Sequence, residues 1–295
     1  MKDRNKIRLL ITGGNGYIAK AITKRIHKKY AVMSLVRNTA DGSFLEKFED
    51  VELIRFSHFD DISDIVQRLR PNIILHAACC YGRNNESFAE IYKANVLFGI
   101  ELLNAIKVAD LECTFINFGT HLHKNVNLYS FSKHSFQEIL FSKVFFNESV
   151  RVLNINLQNT YGPFDTDQKF PTFILRSCGK NVPEINLTSG VQRRDFIYID
   201  DVVEAFDVLL RNVNKLQSGK LDLGTGTLVS IKNFALTAKK LTKSTSNLNF
   251  GSLDQRQDDI ADPAVNIDTL LNFGWRPKVS IEEGIKKVLD QECLV

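Results

Sequence analysis

The sequence predicts an α/β fold built on a doubly wound parallel β-sheet, followed by a smaller C-terminal domain. Short apolar and β-branched segments alternate with helical stretches through the first half of the 295-residue chain. These segments are apolar throughout rather than at every second position, which is typical of parallel strands covered by helices on both faces. The predicted strands span residues 7–12, 31–36, 51–56, 72–76, 113–118 and 150–157.

The regular alternation ends near Tyr161. Beyond it the apolar segments are shorter, and a last helix is predicted from Ser280. We therefore predict a first domain over residues 1–160, with a return segment near 196–224, and a second domain over 161–295. Because the chain has no internal repeat and no long linker, the two domains are expected to pack around one cleft, where binding sites commonly lie.

Charge and cysteine content argue against several classes of function. The chain has 38 Lys and Arg against 34 Asp and Glu, and this net charge of +4 is too small to favour nucleic acid as a partner. Its five cysteines lack a C-x-x-C spacing, so neither a metal site nor a disulfide framework is predicted. The charged N-terminus lacks a signal region, and apolar runs fall short of the roughly 20 residues that a membrane helix needs. A cytoplasmic protein without membrane contact is expected.

A glycine-rich turn, TGGNGYIA over residues 12–19, separates the first predicted strand from the first helix. Gly13 permits a tight turn, Gly16 lets the backbone approach a pyrophosphate, and the helix N-terminus offers N–H groups at its positive end. The third glycine of the usual pattern is Ala19, which is still small enough for close packing. The turn indicates a Rossmann-type dinucleotide-binding domain with predicted contacts from Gly13, Asn15, Gly16, Tyr17 and Ile18.

Two further positions bear on the cofactor. Arg37 ends the second predicted strand, where enzymes selective for NAD place a carboxylate against the ribose hydroxyls. An arginine there favours the 2′-phosphate of NADP(H). After the third strand, the Asp61 side chain and the backbone N–H of Ile62 are predicted to bind the adenine edge.

A tyrosine and a lysine are the predicted catalytic pair. Tyr129 and Lys133 lie one helical turn apart, so both point to the same side. The unperturbed tyrosine pKa is about 10, and a neighbouring ammonium is expected to lower it, which makes proton exchange with a carbonyl oxygen practicable. Lys133 is also expected to bind the nicotinamide ribose. Thr120, at a strand end, completes the predicted site with a hydroxyl for the same substrate oxygen.

In this order, these features resemble the extended short-chain dehydrogenase/reductases, the group of NAD(P)-dependent nucleotide-sugar epimerases, dehydratases and reductases. The resemblance covers nearly the whole chain. Further matching segments are His76-Ala77-Ala78, Asn95-Val96, and residues 159–163, 194–201, 223–226 and 273–277. The resemblance implies cofactor contacts from Ala77, Ala78 and Asn95.

For the second domain, the resemblance implies a clamp on a sugar-nucleotide pyrophosphate. Asn159, Arg194 and Arg256 match positions that hold these phosphates, and Lys169 is a further candidate. Arginine forks suit phosphate oxygens, although a structural salt bridge is the alternative for each of them. Tyr81 is assigned to the sugar pocket together with Thr120.

Within the group, residues 157–165 and 181–188 look most like the CDP-abequose and CDP-paratose synthases, which reduce a 4-keto sugar. The implied function is NADPH-dependent reduction of the C4 keto group of a nucleotide-activated 4-keto-6-deoxy or 3,6-dideoxy hexose, with a CDP-linked sugar favoured. Such chemistry belongs to deoxysugar synthesis for O-antigen lipopolysaccharide. A homodimer formed through two helices per subunit, one of them carrying Lys133, is also implied.

Related activities fit less well. Dehydratases of the group carry an Asp-Glu pair after the strand-end threonine, whereas His121 and Leu122 follow Thr120 here. Leu122 also stands where the epimerase-reductases that make GDP-fucose have a cysteine. A C4 epimerase with bound NAD remains an alternative, against which Arg37 argues. A non-catalytic NADP(H) sensor is a second alternative, because this fold also serves redox-sensing regulators.

Overall fold

A computed structural model describes residues 6–142, 150–254 and 265–294 of the chain. The chain divides into two compact units. The first comprises Met1–Thr120, Asn127–Asn156 and Leu209–Leu221, and the second comprises His121–Val126, Leu157–Val208 and Asp222–Val295. The main part of the first unit thus ends a few residues before the boundary expected from the sequence.

The secondary structure alternates between strands and helices. The strands are β1 (Arg8–Thr12), β2 (Ala31–Arg37), β3 (Glu52–Phe56), β4 (Ile73–His76), β5 (Cys113–Phe118), β6 (Val150–Leu157), β7 (Asn159–Tyr161), β8 (Glu184–Leu187), β9 (Arg193–Tyr198), β10 (Gly219–Leu223), β11 (Leu228–Ser230) and β12 (Asn247–Phe250). The α-helices are α1 (Tyr17–Ile26), α2 (Asp61–Leu69), α3 (Phe88–Tyr92), α4 (Phe98–Val108), α5 (Leu128–Leu140), α6 (Phe170–Gly179), α7 (Ile199–Arg211), α8 (Ile231–Leu241), α9 (Asp268–Asn272) and α10 (Ile281–Glu292). A π-helical turn, Lys93–Leu97, joins α3 to α4.

Seven strands form one sheet in the order β10-β6-β5-β4-β1-β2-β3. The pairs from β6 through β3 are parallel. This confirms the doubly wound fold, and all six predicted strands are present with ends within one residue of the prediction. Every residue of β4 and β5 is buried, which explains why these segments are apolar without alternation.

The strand order creates a switch point beside β1. Leu9 of β1 pairs with Val32 of β2 on one side and with Ile73 of β4 on the other. The chain fills one half of the sheet with β2 and β3, and then crosses over to fill the other half with β4, β5 and β6. The connections that leave β1 and β4 therefore diverge at the carboxyl edge, and this crevice is where ligands bind in open α/β sheets.

The second unit contains two small sheets and its own aromatic core. Strands β11, β9 and β7 form a three-stranded sheet, and β12 and β8 form a parallel pair. The Phe234 ring of α8 lies 4.5 Å from that of Phe196 and 5.5 Å from that of Tyr161, centroid to centroid. Within the described ranges, none of the helices is both long and apolar enough to cross a bilayer.

Candidate active site

The glycine turn after β1 is packed tightly against the segment that follows β4. Gly13 has a φ of +64°, and a Cβ built on it would lie 2.6 Å from the Cα of Ala78. A Cβ on Gly14 would overlap the Ser34 hydroxyl. The Gly16 N–H donates to the Gly13 carbonyl at 2.8 Å. Only glycine fits at the first two of these positions, because one needs a left-handed backbone and both lack room for a side chain.

Helix α1 begins without a side chain over its N-terminus. Gly16 is the N-cap residue, no side chain caps the first turn, and that turn has no acidic residue. The positive N-terminal end of the helix thus carries no capping or acidic side chain that would compete with an anion. The Asn15 Oδ1 is buried and has no hydrogen-bond partner within the chain. The tight glycine backbone and the uncapped helix fit the pyrophosphate of a dinucleotide.

The ends of β1 and β4 are joined by side chains. The Thr12 hydroxyl lies 2.8 Å from Nδ1 of His76, and the backbone N–H of Ala78 donates to the same hydroxyl at 3.3 Å. This bonding fixes Ala77 and Ala78 beside the glycine turn. Both alanines, for which the resemblance implies cofactor contacts, thus lie against Gly13.

Asn95 has a different task from the predicted cofactor contact. Its Oδ1 accepts the Cys80 N–H at 2.7 Å, and its Nδ2 donates to the Cys80 carbonyl at 2.8 Å and to the Ser132 hydroxyl at 2.9 Å. The side chain is fully buried in the π-helical turn. Asn95 thus ties the loop after β4 to α5, and its polar atoms are engaged within the chain.

Asp61 and Ile62, the predicted adenine contacts, have hydrogen-bond partners within the chain. Asp61 Oδ2 accepts the backbone N–H groups of Ser57 and His58, both at 2.9 Å. The Ile62 N–H donates to the Phe59 carbonyl at 3.0 Å, and the Ile62 side chain is fully buried. The carboxylate therefore closes the turn before α2, and the N–H predicted to contact adenine is already bonded.

Arg37 lies where the sequence predicts, as the exposed last residue of β2. Among the described residues, no carboxylate pairs with its guanidinium. The neighbouring Arg55, by contrast, donates to the carbonyls of Asn38 and Ala40 at 3.2 and 2.9 Å. Arg37 is thus the arginine at this strand end that is available to a ligand.

The predicted catalytic pair lies in the first turns of α5. Asn127 caps this helix: its Oδ1 accepts the Ser130 N–H at 2.8 Å, and the Ser130 hydroxyl accepts the Asn127 N–H at 3.1 Å. The cap fixes where the helix starts. Tyr129 and Lys133 follow one turn apart, and Tyr129 shares a hydrogen bond with Thr120, just beyond β5. The structure therefore brings all three predicted catalytic residues together.

Lys133 is almost completely buried, with 2% of its surface exposed. Its Nζ has no hydrogen-bond partner in the described part of the chain. Burial lowers the pKa of this ammonium. A buried amine with unused donors is costly unless a ligand binds it, and it fits a hydroxyl-rich group such as a ribose.

The pKa of Tyr129 is shifted in the opposite direction from the prediction. Burial raises it well above 10, and Cys79 and Tyr81 raise it further. The main opposing influences are the Thr120 hydrogen bond and the charge of Arg83. The net shift is upward, so the lowered tyrosine pKa expected from the sequence is wrong. The phenol is protonated, as a proton donor must be.

Sequence reasoning assigned Tyr81 to the sugar pocket but missed its ring contact with Tyr129 and the influence of Cys79. The Tyr81 ring lies 4.9 Å from that of Tyr129, and the Cys79 thiol acts electrostatically on both Tyr129 and Lys133. Only the position of Cys79 and Tyr81 directly after the alanines that follow β4 signals such a role.

The predicted phosphate ligands of the second unit differ in their hydrogen-bond and salt-bridge partners. Asn159 Nδ2 lies 3.2 Å from Nε2 of His121. Arg194 is 7% exposed and donates to the Arg193 carbonyl at 2.6 Å. Lys169 instead forms a salt bridge of 2.8 Å with Asp165, so the structural alternative describes it better than a phosphate contact. Arg256 lies outside the described residues.

Two motifs of the second unit bind each other. Asp195 accepts the Thr225 N–H at 2.8 Å, the Thr225 hydroxyl at 2.8 Å and the Gly226 N–H at 2.7 Å. A Cβ on Gly224 would lie 2.6 Å from this carboxylate. Asp195 thus holds the turn after β10. Within residues 6–142, 150–254 and 265–294, no group of three acidic, His or Cys side chains is arranged to bind a metal.

The fold, the glycine turn and the arrangement of Thr120, Tyr129 and Lys133 are typical of enzymes that use a nicotinamide cofactor. The chain belongs to the NAD dependent epimerase/dehydratase family, whose sequence pattern matches residues 9–224. It is 31% identical over 301 residues to a CDP-abequose synthase of Salmonella muenchen, covering 99% of this chain and 100% of that protein. A CDP-abequose synthase of Salmonella typhimurium is 28% identical over 298 residues, covering 95% and 97%.

Solved structures share the fold. A UDP-glucuronic acid 4-epimerase from Bacillus cereus, in complex with UDP-glucuronic acid and NAD, superposes with a TM-score of 0.82 at 20% identity. The match covers 96% of this chain and 98% of that one.

Proposed function

We propose that this protein reduces the C4 keto group of a nucleotide-linked 4-keto-6-deoxy or 3,6-dideoxy hexose, using NADPH. The observation that carries the proposal is the placement of a protonated Tyr129, hydrogen-bonded to Thr120, on the same helix as the buried, unpartnered Lys133. These groups suit the protonation of an oxygen whose carbon gains a hydride.

Residues of the first unit would hold the cofactor. The glycine backbone and the N–H groups of Tyr17 and Ile18 suit its pyrophosphate, and Lys133 suits the nicotinamide ribose. Bound NADPH supplies the hydride for the carbonyl carbon. The exposed guanidinium of Arg37 suits a 2′-phosphate, which NADP(H) carries and NAD lacks.

The proton comes from the chain. As the carbonyl oxygen gains negative charge, Tyr129 transfers its phenolic proton to it, which completes the new hydroxyl group. Thr120 donates a hydrogen bond that stabilises the developing charge. The phenolate that remains regains a proton from solvent before the next turnover. Burial keeps the phenol protonated beforehand, so the acid that the reduction needs is present at neutral pH.

The second unit offers groups for the nucleotide. Arg194, nearly buried on β9, and Asn159, on β7, are the proposed ligands of the diphosphate, while Lys169 remains with Asp165. The CDP-abequose synthases, to which the chain is similar over almost its full length, support a CDP-linked sugar and a role in O-antigen deoxysugar synthesis. A cytoplasmic homodimer formed through two helices, one of them α5, remains part of the proposal.

A C4 epimerase is the second candidate, because the B. cereus epimerase has the same fold. Product analysis separates the two functions. The protein is incubated with NADPH and a panel of CDP-, dTDP-, GDP- and UDP-linked 4-keto sugars, and the products are identified by NMR. Reduction consumes one NADPH per hydroxyl formed, and Tyr129→Phe serves as the inactive control. The matching 4-hydroxy nucleotide sugars are incubated in parallel with NAD. Inversion at C4 of these sugars, without reduction of the keto sugars, would contradict the reductase, and no turnover with either set would contradict both.

A further inference from the structure

Tyr81 and Arg83 lie in the loop between β4 and α3, beside the phenol that acts as the acid. The ring centroids of Tyr81 and Tyr129 are 4.9 Å apart, and the ring planes are inclined by 33°. The guanidinium carbon of Arg83 lies 5.0 Å from the centroid of the Tyr81 ring. Both distances lie within the range of ring–ring and cation–ring attraction. One aromatic ring thus contacts both the catalytic phenol and a positive charge.

The loop that carries this stack is anchored on both sides. Asn95 bonds both the N–H and the carbonyl of Cys80, at 2.7 and 2.8 Å. Gly82 has a φ of +67°, and a Cβ on it would lie 2.6 Å from Cδ1 of Ile91 in α3. Ser87 closes the loop with a capping box at the start of α3. Arg83 lies between these anchors, so its backbone has a fixed place relative to α3.

The groups that face Tyr129 come from three segments. The loop after β4 contributes Cys79, Tyr81 and Arg83, Thr120 follows β5, and Lys133 lies on α5 itself. Glu86 in the same loop and Glu90 in α3 add negative charge near Cys80. Arg83 is the charged side chain that most favours the phenolate. This effect of the Arg83 charge on Tyr129 agrees with the contacts that link Arg83, Tyr81 and Tyr129.

We propose that Arg83 is a positioning residue that acts through the Tyr81 ring, holding this ring against Tyr129 and stabilising the phenolate that remains after proton transfer. The inference rests on the proposed role of Tyr129 as proton donor. The sequence suggests only Lys133 for the stabilisation of the phenolate. The proposal gives this task also to Arg83, an exposed residue outside the Tyr-x-x-x-Lys motif. Because Arg83 is exposed, its charge is screened by salt, and its effect decreases as ionic strength rises.

The ionisation of Tyr129 tests the proposal directly. Tyrosinate absorbance is followed at alkaline pH in the full chain, and the curve of the matching Tyr129→Phe protein is subtracted to isolate Tyr129. Arg83→Gln is expected to lower the ionised fraction at fixed pH about threefold or more, since each pKa unit is tenfold, whereas Arg83→Lys stays within about twofold of the wild type. The difference between wild type and Arg83→Gln should shrink in concentrated salt.

The proposal would be overturned if Tyr129 had the same ionised fraction at fixed pH in the wild type and in Arg83→Gln. It would also be overturned if Arg83→Lys lowered that fraction as much as Arg83→Gln does. A second readout is kcat for the reverse reaction, oxidation of the sugar alcohol, measured as a function of pH. The increase of kcat with pH should occur at a higher pH in Arg83→Gln than in the wild type. The absorbance titration needs no sugar. A chain that shows the Arg83-dependent shift but reduces no sugar would therefore contradict the proposed function while leaving the stack and its effect in place.

Discussion

The ammonium of Lys133 and the imidazole of His76 share one buried environment in the first unit. His76 is fully buried, and burial together with the positive charge of Lys133 lowers its pKa to about 3. The Thr12 hydroxyl accepts the Ala78 N–H and lies 2.8 Å from Nδ1 of the neutral ring. The ring thus stays uncharged next to the lysine that is proposed to hold the cofactor.

This relationship predicts a specific pH dependence of stability. The folded-state pKa of His76 lies below the unfolded value of about 6.5, so the unfolded chain binds a proton first as pH falls. The stabilisation is present above about pH 6.5 and is lost between about 6.5 and 3, with a slope of about 1.4 kcal/mol per pH unit. Urea unfolding at several pH values should show a flatter dependence for His76→Asn than for wild type. His58→Asn, at an exposed histidine, should match the wild-type slope; a His76→Asn slope equal to wild type would contradict the prediction.

The hydroxyls of the catalytic site predict two distinct kinetic defects. Tyr129→Phe removes the transferred proton and should abolish turnover, while the Kd for NADPH stays within about twofold of the wild type. Thr120→Val removes one donor to the developing oxyanion and should lower kcat by about 100-fold to 1,000-fold. Steady-state kinetics and fluorescence titration with NADPH measure both effects. Substantial turnover by Tyr129→Phe would remove this residue from the mechanism.

The choice of cofactor should depend on Arg37. Arg37→Asp replaces a cation at the end of β2 with a carboxylate, which repels a 2′-phosphate and accepts hydroxyls. The ratio of kcat/KM for NADPH to that for NADH should fall by about 10-fold to 100-fold, because hydrogen bonds to charged groups contribute about 1.5–3 kcal/mol. Arg37→Gln removes the charge alone, so its kcat/KM ratio should lie between those of the wild type and Arg37→Asp. An unchanged ratio in Arg37→Asp would assign the 2′-phosphate to other residues.

A methyl group at Gly13 should block cofactor binding. The added Cβ would lie 2.6 Å from the Cα of Ala78, and the φ of +64° strains any other residue by about 1–3 kcal/mol. Gly13→Ala should therefore weaken NADPH binding at least about tenfold, measured by calorimetry. Gly219→Ala is the matched control, because a Cβ there meets nothing within 4 Å. Normal NADPH affinity in Gly13→Ala would show that the turn does not contact the cofactor.

Lys169 should contribute to stability rather than to substrate binding. Its partner Asp165 has a side chain only 2% exposed, so Lys169→Met would leave a buried carboxylate without its cation. The free energy of unfolding should fall by about 3 kcal/mol, as found when one member of a buried pair is removed. Lys169→Arg should retain most of the stability, and the KM for the sugar nucleotide should not change in either variant. A rise in KM without loss of stability would restore Lys169 to the phosphate site.

The sequence predicts the strands of the main sheet well, because a parallel strand buried on both faces is a continuous apolar run. Strand β10 is different. It supplies the edge of the sheet from residues more than 60 positions beyond β6, and no local pattern announces that pairing. The expected return segment near 196–224 includes β10, but its ends could not be derived from the sequence. Long-range pairing, rather than local propensity, decides that assignment.

The candidate site was predictable where a residue type is demanded by backbone geometry or chemistry, as at Gly13, Tyr129 and Lys133. It was not predictable where a polar side chain has a choice of partners. Asp61 and Asn95 carry the groups that a cofactor contact needs, yet both bond to nearby backbone. The direction of the Tyr129 pKa shift likewise depends on burial, which a four-residue spacing does not report.

The edge position of β10 also bears on the synthesis of the protein. A ribosome releases β1 to β6 long before residues 219–223, so the newly made sheet has an unpaired strand β6 at its border while much of the second unit is still being translated. Unpaired borders attract other strands and promote aggregation. Strand β10 thus completes the edge of the sheet only late in synthesis. Chains truncated before β10 are expected to aggregate into inclusion bodies.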